Sequence, residues 1–311
     1  MSRLIDHIAD FLVENGFELS FQIRHDFDVI VTRTLDGRHT KVVLPLEISA
    51  GTIEEAEAES DNAEDAIRMI TREAGYPLII TEDRWRSQRQ MMEARLLAHL
   101  ELFSQAYARN CEVRRIEKDE AQEFLNRNHS YGDAACKYRY GLFLKRHTGH
   151  IAAEMGFPIR SGMTEKKQGM TDEVKNLSEG TLIAVATFSN ARRWVKEGKE
   201  IRSYEWTRYA SLPDLRVSGG MGKMLKAFIK EVQPDDIMSY ADLEWSEGEV
   251  YERLGFEAET RKEPVTFTID PQTWERTAIR RSPVKPGMTE ENLFFRNFGS
   301  RKFRLKLTDY K

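Results

Sequence analysis

Apolar residues recur every three to four positions at the start of the chain. Leu4, Ile5, Ile8, Phe11 and Leu12 share one face of a predicted helix, and Asn15-Gly16 ends it. The period then changes to two. Phe17–Arg24 and Asp26–Arg33 alternate as strands, Leu35-Asp36-Gly37-Arg38 forms a turn, and Lys41–Ser49 reads as a third strand. The acidic run Ile53–Ala74 is predicted helical and Tyr76–Thr81 a fourth strand, giving the order α-β-β-β-α-β. A further helix begins near Thr81, with Trp85, Met92, Leu96 and Leu100 inward and Arg84, Arg86, Arg89 and Arg95 partly exposed.

The same pattern continues after a short break. Cys111–Ile116 is a predicted strand, Asp119–Asn128 a helix with Phe124 and Leu125 inward, and Tyr138–Lys145 and Thr181–Ser189 a strand pair. Residues 146–180 between that pair are polar and charged, an insertion of the kind that is either mobile or substrate-facing. Tyr204–Leu212 is extended, an amphipathic segment runs to Val232, and Asp236–Asp242 reads as a buried strand. Ser246–Phe256 is a short helix closed by Gly255, and Val265–Ile269 is a last strand. Phe294–Asn297 and Lys302–Leu307 are predicted to extend the sheet through the Gly299-Ser300 turn. The class is therefore α/β: a mixed sheet flanked by helices, preceded by a smaller α-β-β-β-α-β domain. The expected division is 1–83, a connecting helix over 84–108, and a main lobe over 109–311.

Composition adds limits. A chain of 311 residues, 32% charged and 40% hydrophobic, has the balance of a globular protein of one large or two ordinary domains. The net charge of -4 gives no overall nucleic-acid signature, but its distribution is uneven. Gln272–Lys311 holds ten Lys/Arg against four Asp/Glu, a segment able to meet a phosphate backbone, whereas Glu54–Asp65 holds seven acids and no base. Solvated surface accounts for either run equally well. Two cysteines, Cys111 and Cys136, point away from a disulfide scaffold and towards a reducing cytoplasm. No apolar run reaches membrane-spanning length, and the first residues lack a signal-peptide core. His147-x-x-His150 has the spacing of a metal pair without a companion cysteine or carboxylate cluster, so no metal is expected there.

The most informative stretch is Val217-Ser218-Gly219-Gly220-Met221-Gly222-Lys223. A glycine-rich turn opening a helix brings backbone N–H groups close to an anion, and the helix end adds a favourable field. Glycines at a tight turn also serve backbone geometry alone. Strand, glycine turn, helix, strand and a Tyr251-x-x-x-Gly255-Phe256 helix succeed one another, an order that resembles the GNAT N-acyltransferase superfamily. In that family the glycine turn holds the pyrophosphate of acyl-coenzyme A, and a tyrosine of the last helix often protonates the leaving thiolate. The family pattern is Arg/Gln-x-x-Gly-x-Gly/Ala; Gly220 and Gly222 fit it, Val217 stands at its first position, and Arg216 lies one residue earlier. The resemblance covers roughly Cys111–Lys306. It implies Tyr251 as proton donor, Asp242 and Glu205 as candidate bases, and His129, Tyr131 and Arg208 on the acceptor side. Glu205 could instead pair with Arg202 or Arg208, and Asp242 could cap the helix near Ser246.

The first unit resembles the restriction-endonuclease-like core, whose magnesium chemistry uses an Asp on the second strand and Glu-x-Lys on the third. Asp28 and Glu47 stand in those places, and Ser49 replaces the lysine, which implies either a degenerate, non-catalytic relative or a unit that merely shares the topology, with Asp26 and Asp28 as ordinary strand-edge acids. Glu82-Asp83-Arg84-Trp85 looks like a segment of phage-type homing-endonuclease relatives, in which a GNAT-like region can follow a nuclease unit. The run Ser239-Tyr240-Ala241-Asp242-x-x-Trp245 is similar to that region, and the spacing of Asp242 and Tyr251 is similar to Mom-type DNA-modifying acyltransferases. The resemblances together imply an acyl-CoA-dependent N-acyltransferase of a phage or mobile element, with a nucleic-acid base as acceptor. Two alternatives stay open: a non-catalytic nucleic-acid-binding protein, and a small-molecule or protein acetyltransferase.

Overall fold

The structure is a computed structural model that describes residues 3–145, 177–196, 198–279 and 292–309. In chain order it opens with α1 (Leu4–Glu14), β1 (Leu19–Arg24), β2 (Phe27–Arg33), β3 (Thr40–Leu46), α2 (Ile53–Ala74), β4 (Leu78–Thr81), α3 (Glu82–Ser87) and α4 (Arg89–His99). Next come β5 (Ser104–Tyr107), β6 (Cys111–Arg115), α5 (Lys118–Asn128), β7 (Tyr138–Leu144), β8 (Leu182–Phe188), β9 (Arg192–Lys196), β10 (Lys199–Ser211) and β11 (Leu215–Ser218). The remainder is α6 (Gly220–Val232), β12 (Asp236–Asp242), α7 (Glu249–Arg253), β13 (Glu257–Lys262), β14 (Thr266–Ile269), β15 (Arg276–Ala278), β16 (Leu293–Arg296) and β17 (Ser300–Lys306).

Two compact units emerge, and their boundaries differ from the expected ones. The first comprises Met1–Glu101, Ala241–Gly248 and Thr260–Arg301; the second comprises Leu102–Tyr240, Glu249–Glu259 and Lys302–Lys311. The chain thus returns to the first unit twice after position 109. The expected connecting helix over 84–108 is two helices broken at Gln88, followed by strand β5.

In the first unit the sheet order is β1-β2-β3-β4, with β3 and β4 parallel and the other pairs antiparallel. Helix α2 makes the crossover that a parallel pair needs. Its start is a capping box: Thr52 Oγ1 accepts from the Glu55 N–H at 3.1 Å, and Glu55 Oε2 accepts from the Thr52 N–H at 3.2 Å. Ala63, Ile67 and Ile70 of α2 bury against Val29, Val42, Leu44 and Ile79. A three-stranded sheet, β15-β14-β16, packs Phe267 and Ile269 against Ile48. The predicted strand at 265–269 therefore does not complete the main sheet, nor does 294–297 extend it.

The returning segments are held by buried charge. Arg276 bonds both oxygens of Asp83, Thr81 Oγ1 at 2.9 Å and Glu244 Oε1 at 2.7 Å, while Arg84 Nε donates to Glu244 Oε2 at 2.9 Å. Arg95 donates to the carbonyls of Ile79, Glu244 and Trp245, with its guanidinium 3.9 Å from the Trp245 ring centre. Arg84 is 3% exposed, so the expectation of a partly exposed arginine is overturned by its burial beside Glu244. Burial alone would raise the Glu244 carboxyl, but the Arg276 and Arg84 guanidiniums outweigh it and hold it down at about 2.

The second unit is built on an eight-stranded sheet. Its main path runs β13-β17-β12-β10-β8-β7-β6, and β9 pairs with β10 beside it. Helix α5 covers one face through Ala121, Phe124 and Leu125, which pack on Val185 and Ala210. Helix α6 covers the other through Phe228, stacked on Phe188 at 3.9 Å with edge contacts to Tyr138, Tyr140 and Tyr204. Strand β17 lies between β13 and β12, an insertion into the sheet order rather than an extension at its edge. Short β11 pairs in parallel with β5.

Candidate functional site

Two irregularities in β10 build the site. Its register with β8 shifts between Trp206 and Arg208, a bulge that inserts a residue and reverses the facing of the positions after it. Tyr209 consequently lies edge-on to Trp206, while Ala210 packs under α5. On its other side β10 runs parallel to β12 only through Ser203–Glu205 opposite Asp236–Met238. Strand β10 continues to Ser211 and β12 to Asp242, so the sheet forks beyond that pairing.

A hydroxyl relay sits at the fork. Ser239 Oγ lies 3.0 Å from the Trp206 carbonyl and 2.9 Å from the Tyr251 hydroxyl. A serine has one proton to donate, so the consistent assignment has Tyr251 donating to Ser239 and Ser239 donating to Trp206. The Tyr251 ring is fixed by Phe303, stacked at 5.2 Å, and by edges of Trp206 and Phe256. Burial raises the Tyr251 phenol above its usual range. The phenol stays protonated at neutral pH and is available as an acid.

The glycine turn adjoins this relay through two contacts. Gly219 caps α6 in the left-handed region at φ 76°, where a side chain is strained. A Cβ on Gly220 would stand 3.0 Å from Val217 and 3.1 Å from the Tyr209 hydroxyl, and one on Gly222 would stand 3.2 Å from Leu254, just beyond Tyr251's helix α7. The first-turn N–H groups of Gly220, Met221 and Gly222 have no carbonyl one turn back within the helix, leaving them for an anion. Other predicted members serve the scaffold. Val217 is buried and paired with Ala106, Ser218 Oγ accepts from Gln105 at 2.7 Å, and Lys223 Nζ donates to the carbonyls of Ala108 and Cys111. Arg216 is exposed, its guanidinium 5.3 Å from the Phe103 ring centre.

The acceptor-side residues gather around Arg208. Its Nε donates to the Gly132 carbonyl at 3.0 Å and an Nη donates to the Thr207 carbonyl at 2.8 Å. His129 Nδ1 accepts from the Tyr131 N–H at 3.1 Å, folding the same loop. Burial lowers the Arg208 pKa, opposed by the nearby Glu205, Asp133 and Tyr131. Glu205 is half-buried on β10 at the fork. Asp242 is elsewhere: it falls in the first unit, its Oδ1 accepts from the Glu244 N–H at 3.0 Å, and its Oδ2 lies 3.8 Å from Arg84. Ser239 was not among the predicted site residues. Its signal was a hydroxyl within the apolar stretch Ile237–Ala241, between Met238 and Tyr240.

No family model matches the chain, and none of the curated proteins matches it. Among solved structures, a mutant of the toxin AtaT bound to the C-terminus of the antitoxin AtaR and acetyl-CoA is similar over 60% of this chain and 93% of that one, at 13% identity and a TM-score of 0.26. An overlay that loose assigns neither family nor activity.

The nuclease-type magnesium site implied for the first unit does not fit the residues present. Arg3 bonds Asp28 directly and lies 3.8 Å from Glu47, putting a guanidinium where a cation would sit. Ser49 donates to Glu59 at 2.8 Å, and no group of three metal-ligating side chains occurs among the described residues. His147 and His150 fall outside those residues. Several described residues of the basic run 272–311 are engaged in ion pairs. The Arg276 side chain is 9% exposed and pairs with Asp83; Arg296 pairs with Asp61, Lys302 with Glu259, and Arg304 with Asp236 and Glu259. No helix among the described residues is long and apolar enough to cross a membrane.

Proposed function

We propose that the second unit transfers an acyl group from acyl-coenzyme A to an amine. The observation that carries this reading is the forked β10–β12 pair with Tyr251 and Ser239 at its branch and the start of α6 beside Tyr251's helix. The pyrophosphate would sit on the N–H groups of Gly220, Met221 and Gly222. The thioester arm would run along the β10 edge that β12 leaves, where backbone N–H groups stabilise the oxyanion of the tetrahedral intermediate. Glu205 takes a proton from the amine as its nitrogen bonds to the acyl carbon. The carbon–sulfur bond then breaks, and Tyr251 gives its proton to the departing thiolate.

The acceptor we favour is an amine on a nucleic-acid base. The support is the β9–β10 hairpin, where exposed Arg192, Lys196 and Lys199 accompany Trp194. The test is calorimetric titration of the full chain with acetyl-CoA, followed by turnover with DNA, RNA, polyamine and peptide acceptors. Saturable binding that disappears in Gly222→Glu supports the coenzyme site, and unchanged binding in that folded variant overturns it. Turnover confined to polyamine or peptide would replace the nucleic-acid acceptor while leaving the acyltransferase reading intact.

A further inference from the structure

The first unit contains a cavity of about 310 Å³, at the lower end of the size of small-molecule sites. Its floor includes Leu46, Ala63, Phe295 and Phe298; its rim carries the carboxylates of Asp26, Asp28, Glu47 and Glu59. Against those four acids stand two guanidiniums, and both are engaged: Arg3 by Asp28, Arg296 by Asp61. Asp26 and Glu59 form no ion pair among the described residues, so the rim keeps a negative surplus. An independent observation comes from inside the wall. Ser60 is 4% exposed, lines the cavity, and its hydroxyl has no hydrogen-bond partner. A buried hydroxyl without a partner is destabilising, so a ligand that bonds to it recovers that loss.

We propose that this cavity binds a small organic cation: an ammonium or guanidinium at the acidic rim, an apolar body along the phenylalanines, and a polar end on Ser60. The chain supplies the chemical precedent, because Arg3 already lays a guanidinium across Asp28 at the same rim. An organic cation satisfies three features at once: surplus carboxylate, aromatic wall and buried hydroxyl. A bare divalent ion would use only the first. The inference is independent of the acyltransferase reading, since every residue it uses lies in the first unit.

The test is calorimetric titration of the full chain with three probes: tyramine, which has all three parts; phenethylamine, which lacks the hydroxyl; and 4-ethylphenol, which lacks the charge. Tyramine is expected to bind saturably, and 4-ethylphenol at least about tenfold more weakly, the value of a charged hydrogen-bonding partner. Ser60→Ala should weaken tyramine about fivefold, the range of one neutral hydrogen bond, and leave phenethylamine unchanged. Glu59→Gln, an exposed change that spares the fold, should weaken both amines. Absence of saturable tyramine binding up to about 10 mM, an affinity below roughly 3 kcal/mol, overturns the proposal. So does equal binding of tyramine and 4-ethylphenol, or displacement of tyramine by magnesium alone.

Discussion

The two units handle chemically active side chains in opposite ways. In the first, the buried charges are neutralised by one another: Arg276 and Arg84 against Asp83 and Glu244. In the second, the groups at the fork are neutral hydroxyls and backbone N–H donors, and the half-buried carboxylate Glu205 stands at the fork on β10. Burial acts differently on each kind of group. A buried ion pair is fixed in place because separating it exposes an uncompensated charge. A buried phenol keeps its proton and can still give it up to a stronger base formed during a reaction. Asp83 and Glu244 thus became structure, while the second unit's hydroxyls remain able to act.

The largest loss is expected at Arg276. Replacing it by alanine leaves Asp83 and Glu244 buried without their main partner, which should cost about 3–5 kcal/mol and be read as a lowered urea midpoint. The same cluster sets an acid limit. Glu244 titrates at about 2 in the folded chain, below its ordinary 4.5, so its contribution is complete above about 4.5 and is lost as pH falls towards 2. In Arg276→Ala the acid unfolding transition should move to higher pH. An unchanged urea midpoint and acid transition would show that the cluster holds nothing together.

Next in size is the effect at the glycine turn, where Gly222→Glu should remove detectable acetyl-CoA binding by placing charge and bulk against Leu254 and the open N–H groups. Smaller again is Tyr251→Phe. It should leave coenzyme binding and fold in place and lower kcat by roughly 100-fold, the usual scale of one general acid. Full activity in that variant would take Tyr251 out of the mechanism and leave it as a packing partner of Phe303.

These sites differ in how much the sequence disclosed. Gly219, Gly220 and Gly222 were legible because a turn at positive φ and a tight helix start admit few other residues. Tyr251 was legible through its spacing to Gly255. The strands β2, β3, β7 and β8 showed their apolar runs or alternation. Strand β13 did not: all six of its residues are exposed and most are charged, so it carries no inward pattern. The Arg276 cluster was hidden for a different reason. Arg276 and Asp83 are 193 residues apart, and lone charged residues read as surface until a distant partner is in view. The two returns of the chain to the first unit were missed with it, since those contacts hold them there.

Asp242, a residue singled out by its spacing, should give the least change of all. Asp242 stands near Tyr251 in sequence, yet its carboxylate accepts from the Glu244 N–H and faces Arg84. If its work is to close that turn, Asp242→Asn should change turnover by less than about twofold, because an amide oxygen still accepts the Glu244 N–H. Stability should fall modestly, by the attraction to Arg84 that the neutral side chain no longer makes. A general base, by contrast, loses on the order of 100-fold when its carboxylate becomes an amide. A loss of that size in Asp242→Asn, with the fold intact, would return the base to β12 and make Glu205 the scaffold residue. A near-wild-type rate leaves the base on β10, where the fork opens and Arg208 orders the neighbouring loop.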